Sequence, residues 1–528
     1  MEKVMRRLNI SFKMLVGLAL ILMTTNCDKF LDEKPQSTII PEIFWQTKSD
    51  ADTWLAGIYN SLQTTLRTNY FDWGEARADN VDQESTGNAQ RKVLRNTFSA
   101  NDTDVNAITS WASLYTTISL CNYGIKYYPQ MIEKNIEQSA SVYRDYLGQS
   151  YAIRALSYFY ALRVWGRVPI VTEPVESLTE ESLFPRSSIE EVRKRILDDI
   201  DMALELIGTS TVQKFYMQKA SVYALQTDVY MWFQEYDNAL TASQNCIDES
   251  NGTLVTTAEQ WKAIFTSPQS STETIFSLFW SSAERGNGSG VCTKLASQTN
   301  QYSIRPTIFN RLRARTNPGI SGPADGRFTT SFDLISFPTN ADYANASGRK
   351  FGKFSVWDPG LVRNDGLSGG GFVIGSSQDC DVHTPIYRLA DILLLRAEAL
   401  NHKERHQEAL DIVNNIRRRV GYNVEAQLSD FSGDVIAEIE AVILTERQYE
   451  FLGEGKRWFD LCRIGNTYDY TENGYQYLRD IMNPLLNSRS GSITFEGVNI
   501  GRILLPINSD AFNANNKLRG DQNSPYDE

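Results

Sequence analysis

Apolar residues recur at helical spacing along much of this 528-residue chain, and they do so in pairs of segments joined by polar turns. A helix with one apolar stripe has to bury it. Two such helices in succession bury theirs first against each other. The pairs are 49–66 with 106–131, 141–164 with 188–207, 217–233 with 239–247, and 385–400 with 407–420. In the third pair Ala220, Ala224 and Tyr230 mark the first helix, Glu235, Tyr236 and Asp237 turn the chain, and Ala239 starts the return. The fourth turns at 401–405. Small residues at the crossing points, with Tyr and Leu between them, are the pattern of tetratricopeptide-like helix pairs. Intervals between pairs vary too much for a regular solenoid. The prediction is a mainly α fold, a superhelical scaffold of four divergent helix pairs carrying a loop-rich, minor-β binding subdomain.

That subdomain is expected at about 281–381, where Gly, Ser, Asn and Asp replace the helical pattern while Tyr302, Tyr343, Phe354 and Trp357 persist. A long irregular segment inside a folded body is usually functional or disordered, and its scattered rings favour binding loops. Length alone would suggest three or four domains, but a repeat array breaks that arithmetic. Residues 41–528 are therefore expected to form one domain.

The front of the chain reads as an export leader. Lys3, Arg6, Arg7 and Lys13 precede an apolar run over 14–23, then Thr24, Thr25 and Asn26 lead to Cys27. The run is about half the ~20 residues that a membrane-spanning helix needs. Residues 1–26 are predicted to be cleaved as a lipoprotein signal peptide, with Cys27 as the lipidated residue. A diacylglyceryl thioether and an N-acyl chain, at about 0.8 kcal/mol per buried CH₂, would hold the protein at a membrane permanently. Residues 27–40 follow as a polar, acidic tether containing Pro35.

A net charge of −12 argues against a nucleic-acid backbone or an anionic lipid surface as ligand. Once Cys27 is set aside, Cys121, Cys246, Cys292, Cys380 and Cys462 are odd in number and widely spaced. They form neither a disulfide framework nor a zinc pattern, and are expected as buried thiols or at most one incidental bridge. The 10 Trp, 25 Tyr and 24 Phe exceed what packing strictly requires, so some rings are expected to face a ligand.

The charge suits a neutral ligand better, and a neutral ligand is held by flat rings against its apolar faces and planar polar groups that bridge its hydroxyls. Residues 70–80 supply both kinds: Tyr70, Trp73, Arg77, Asp79 and Asn80. The competing structural account makes Trp73 a core ring and joins Arg77 to Asp79 as an ion pair. Trp280, Tyr302, Tyr343 and Trp357 are further candidates. No enzyme pattern survives its context, so no catalysis, cofactor or metal is expected. The G-x-S-x-G pattern at 366–370 lies in a glycine-rich run where a nucleophile elbow needs a strand and a helix. His402 and His406 are one helical turn apart, but Lys403 stands where a zinc peptidase has glutamate, so a solvated turn is expected there. His383 is the one other histidine.

Four stretches resemble the SusD/RagB family of outer-membrane nutrient-binding lipoproteins of Bacteroidetes. Arg154-Ala155-Leu156-Ser157-Tyr158-Phe159 followed by Gly166-Arg167-Val168-Pro169 is similar to its "RA-x-x-YF … G-x-VP" run. Leu394-Leu395-Arg396-Ala397-Glu398-Ala399, with Asn414, Ile416, Arg417 and Arg419, resembles "LL-x-AEA … N-x-(I/V)R-x-R". Glu446-Arg447-Gln448-Tyr449-Glu450-Phe451 through Gly455, Arg457-Trp458 and Asp460-Leu461 resembles "ER-x-x-EF … EG-x-RW-x-DL". Pro506-Ile507 and Gln522-Asn523 to Tyr526 resemble the closing "PIP … QNPGY", with Asn508 in place of a proline and Ser524-Pro525 in place of Pro-Gly. The acidic tether resembles the stretch that sends lipoproteins to the cell surface in such bacteria. The resemblance implies a helical scaffold docked on a SusC-like TonB-dependent transporter, with a site for an oligosaccharide or polysaccharide near its mouth. Peptide binding within the same family is the alternative, and a glycan-cleaving enzyme is the remoter one. Glu446 and Glu450, one turn apart, are expected to pair with Arg447, Arg457 and Asp460 as scaffold.

Overall fold

Apolar stripes at helical spacing have to meet something, and in the computed structural model they meet one another in chain order. The structure describes residues 44–83, 87–175, 183–208, 213–281, 283, 288–295, 301–319, 324–332, 351–354, 356–358, 371–373, 381–465 and 474–527. The leader, Cys27 and the tether lie outside them. The chain divides into two units, 1–50 and 51–528. In the first, Asp50 accepts from the backbone N–H groups of Thr47 at 2.7 Å and Gln46 at 3.1 Å, and the Phe44 and Trp45 rings meet edge-on. The remaining description concerns the second unit and the helix that enters it.

Eight helices carry the scaffold: α1 (Lys48–Gly74), α2 (Ala112–Glu133), α3 (Ala140–Trp165), α4 (Ile189–Leu206), α5 (Lys219–Trp232), α6 (Tyr236–Ser250), α7 (Leu389–His402) and α8 (His406–Arg419). α1 runs antiparallel to α2, joined by Trp54 Nε1–H to the Leu120 carbonyl at 2.9 Å, Ser61 to Thr117 at 2.8 Å, and Tyr128 O–H to the Ala51 carbonyl at 3.1 Å. From α2 onward each helix packs on the next, so the pairs stack into a continuous tetratricopeptide-like array. α3 is buried on every side from Ala152 to Trp165, as a helix apolar all round has to be. Ser188 starts α4 with a reciprocal cap: its hydroxyl accepts from Glu191 N–H, and its own N–H donates to the Glu191 carboxylate at 2.8 Å.

Two helix starts differ from the spacing. The segment 385–388 is strand, part of β6 (Thr384–Arg388), which pairs antiparallel with β2 (Thr274–Leu278). A residue before proline is pushed out of the helical region, so Thr384-Pro385 favours extension and α7 begins four residues later. In the first pair, Ser110 is extended and α2 starts at Ala112, after a separate turn at Asn106–Thr109. β1 (Val81–Gln83) pairs with β3 (Tyr302–Ile304), and β4 (Val356–Asp358) with β5 (Gly371–Val373). These ribbons are the minor β component.

The described parts of 281–381 build core as well as loops: Tyr302, Phe309, Phe328, Phe332, Phe351 and Phe354 are all buried. The glycine run at 366–370 lies outside the described residues. Among the helices that follow are α9 (Val435–Glu450) and α10 (Arg457–Arg463). The turn between them packs on the end of α1 so tightly that a Cβ on Gly74 would lie 1.9 Å from the Gly455 carbonyl oxygen. Gly455 itself has φ +66°, a conformation that glycine adopts without strain.

Candidate functional site

Residues 70–80 end α1 and lead into β1, and every one of them is buried. Tyr70 donates to the Pro385 carbonyl at 2.9 Å, and Trp73 donates from Nε1 to the Ile108 carbonyl at 2.8 Å, its ring edge-on to Trp165. Arg77 bonds the Ile503 carbonyl at 2.9 Å and lies over the Trp458 ring at 4.1 Å. Asp79 takes Arg457 Nε at 2.8 Å and Gln448 Nε2 at 2.9 Å; Asn80 gives to Glu75 at 2.7 Å and accepts from Gln448 at 2.8 Å. Trp280 bonds Thr384 Oγ1 at 3.0 Å within the fold, and Tyr302 packs on Phe71. The expected sugar shelf of Tyr70, Trp73, Arg77, Asp79, Asn80, Trp280 and Tyr302 is therefore corrected: these groups have no face left for a ligand. Tyr343 lies outside the described residues, and Trp357 is in β4 with its backbone paired to Phe372.

The partners of Asp79 and Asn80, and the ring under Arg77, come from the Glu446–Asp460 stretch. Glu446 holds Arg315 at 3.1 Å, Arg417 at 3.0 Å and Arg327; Glu450 holds Arg388 at 2.7 Å, Arg327 at 3.1 Å and Arg419. Burial alone would raise the Glu446 pKa, but the guanidinium groups of Arg327, Arg315 and Arg417 outweigh it and hold it at about 2. Arg447 bridges Asp391 and Asp460, and Arg463 bridges Glu398 and Asp460. The acids are scaffold, as expected, but Glu446 and Glu450 draw their cations from elsewhere in the chain. Arg447 and Arg457 bond Asp391, Asp460 and Asp79 instead.

His402 departs from a solvated turn. It stacks on Tyr236 at 4.3 Å and meets Glu440 at 2.6 Å, at the edge of a cleft shared with Arg463 and Tyr477. His383 Nδ1 accepts the Trp280 backbone N–H at 2.9 Å, and burial lowers its pKa to about 4. Cys121, Cys246 and Cys462 are buried free thiols.

Accessible rings and planar groups do meet elsewhere. A cleft of about 740 Å³ opens between α1, α3 and the segment entering α5, lined by Asp52, Asp145, Tyr146, Gln149, Gln213, Tyr216 and Gln218 among others. Its size suits a small-molecule site. Tyr216 is 37% exposed, its ring edge-on to Tyr59 at 4.7 Å. Behind it the polar groups are chained: the Met217 N–H donates to the Tyr59 hydroxyl at 2.7 Å, Tyr59 to Gln149 Oε1 at 2.7 Å, and Gln149 Nε2 to Asp145 at 2.7 Å. Asp145 also accepts the Gly208 N–H at 3.1 Å, and its burial raises its pKa. Tyr146 donates to Asp52 at 2.7 Å. Such a chain fixes side-chain amides and carboxylates beside an exposed ring before any ligand arrives. The sequence carried a signal for it in Gln213-Lys214-Phe215-Tyr216-Met217-Gln218, two rings between two glutamines in a segment joining two helices.

Comparisons with known proteins agree on the family. The family model described as "SusD family" matches residues 374–526, and one described as "Starch-binding associating with outer membrane" matches 29–231. "SusD-like protein P38" of Formosa agariphila is 30% identical over 88% of this chain and 93% of that protein; "SusD-like protein P2" of the same organism is 22% identical over 85% and 89%. A SusD superfamily crystal structure from Bacteroides thetaiotaomicron superposes with a TM-score of 0.69, at 23% identity, over 92% of this chain and 99% of that one. With one relative at that identity aligned along nearly its whole length, and with the same helical fold, this chain belongs to the SusD family.

Proposed function

We propose that the protein is a surface lipoprotein that captures an oligosaccharide or polysaccharide without cleaving it and passes it to a SusC-like TonB-dependent transporter. The single observation that carries the binding step is the cleft at Tyr216, where an exposed ring stands beside the bonded Asp145–Gln149–Tyr59 chain. Ring stacking would supply affinity, and the amides and carboxylates would select among hydroxyl patterns. The starch-binding, outer-membrane description of the matching family model supports both the ligand class and the location. Cys27, behind its leader, supplies the anchor in this reading, and residues 27–40 the tether.

Calorimetric titration with a panel of oligosaccharides, wild type against Tyr216→Ala, tests it. The variant is expected to lose about tenfold in affinity, or about 1.4 kcal/mol, and to stay folded, since the one ring contact it gives up is the edge-on pair with Tyr59. Equal affinity in a folded variant would remove this cleft from the site.

A further inference from the structure

A second cleft, of about 390 Å³, lies against the buried ion network, and its chemistry is unlike that of the first. Trp261, Arg327, Arg418 and Arg419 line it together with threonines and backbone, and among its described lining residues there is no Asp or Glu. In a chain of net charge −12 that is a local inversion of sign.

Among the described residues the network behind it carries a cationic excess. Arg315, Arg327, Lys353, Arg388, Arg417 and Arg419 share five carboxylates, those of Glu273, Asp325, Glu446, Glu450 and Glu454. Arg419 gives its two terminal nitrogens to Glu273 and Glu450, and its Nε–H finds no acceptor among the described residues. Trp261 Nε1–H is equally without one. Both side chains are more than nine-tenths buried. Three cations surround the Trp261 ring, with Lys353, Arg388 and Arg419 each within 5.4 Å of its centre. A buried N–H left without an acceptor costs about 1–3 kcal/mol, and here the two side chains that carry them both line one acid-free cleft.

We propose that this cleft binds an oxyanion, a carboxylate or sulfate group on a ligand of about monosaccharide size, through Trp261 Nε1–H and Arg419 Nε–H with Arg418 at the rim. The inference stands on this cleft alone and does not require the one at Tyr216. An anion here would offset the excess charge and accept from both donors, with the half-exposed Arg418 guanidinium, already paired with Glu425, at the entrance. A neutral sugar would do only the second.

The test is calorimetric titration of the full chain with galacturonate, inorganic sulfate and galactose, in wild type, Trp261→Phe and Arg418→Gln. Galacturonate and sulfate are expected to bind and galactose not. Trp261→Phe keeps a ring but removes the donor, and is expected to weaken binding about tenfold or more. Arg418→Gln changes a rim residue and is expected to weaken it severalfold even if the Trp261 variant fails to fold. A galacturonate affinity above that of sulfate assigns the anion to a sugar, and equal affinities assign it to a free ion; either result upholds the site. Anions that do not bind, galactose binding as well as galacturonate, or folded variants that bind like wild type would each overturn it.

Discussion

Glu75 sits in the turn after α1 with none of its surface exposed. One carboxylate oxygen accepts from Asn80 Nδ2 at 2.7 Å and from the Gly453 N–H at 2.9 Å, while the other has no partner among the described residues. Burial therefore outweighs those bonds and lifts its pKa from 4.5 to about 7. The sign of the consequence is fixed. Between those two values the folded chain keeps a proton that the unfolded chain has released, so the native state binds more protons and stability falls as pH rises. Each pH unit of that difference is worth about 1.4 kcal/mol, so from pH ~5 to pH ~8 the group removes about 2 to 3 kcal/mol. Glu75→Gln keeps the shape and cannot titrate; its own cost, a buried N–H group without an acceptor, does not depend on pH. Urea denaturation of both proteins at the two pH values isolates the effect. The variant is expected to gain about 2 to 3 kcal/mol on wild type between them. Stability curves that run parallel with pH would refute a neutral Glu75 in the fold.

Trp73→Ala removes a buried indole and its hydrogen bond to Ile108, and is expected to lower stability by about 3–5 kcal/mol in denaturant titration. Ligand affinity of the folded fraction should stay as it was, which separates a core ring from a binding ring. Glu446→Gln leaves Arg315, Arg327 and Arg417 short of a buried partner and is expected to cost about 3–5 kcal/mol; a loss near zero would mean that water reaches the network. Cys27→Ser, expressed in a bacterium that processes lipoproteins, is expected to leave the membrane fraction, as immunoblots of fractionated cells would report.

The helix pairs were legible because their physics is local. Ala220, Ala224 and Tyr230 lie within one helix, and the turn expected at 235–237 falls on the first turn of α6, which starts at Tyr236 and not at Ala239. The strands were not legible, since Thr274–Leu278 pairs with Thr384–Arg388 across more than a hundred residues and no periodicity records a partner so far away. The site was misread for a different reason. A ring next to Arg, Asp and Asn looks the same whether the polar groups face a sugar or face Arg457 and Gln448. Deciding between them needs the Glu446–Asp460 stretch in contact with 70–80, which is a tertiary fact. The rings and glutamines at 213–218 stand out in the sequence, but nothing there says that α1 and α3 leave a cleft beside Tyr216.

The stretches that tie this chain to its family hold several of its buried ion pairs. Arg154 is locked to Asp199 at 2.7 Å, Glu398 to Arg463 at 2.6 Å, and Arg457 to Asp79 at 2.8 Å, all within the protein. A buried, geometrically matched ion pair tolerates no lone substitution, because the survivor would be left charged without a partner. Surface residues such as Gln213, Tyr216 and Arg418 carry no such constraint. Most of the residues that announce the family are thus engaged inside it, and Arg419 is the one that the proposed anion cleft also uses. A sugar or an anion has to be sought at the seams between helix pairs, where the scaffold leaves side chains half-exposed and already bonded on their inner side.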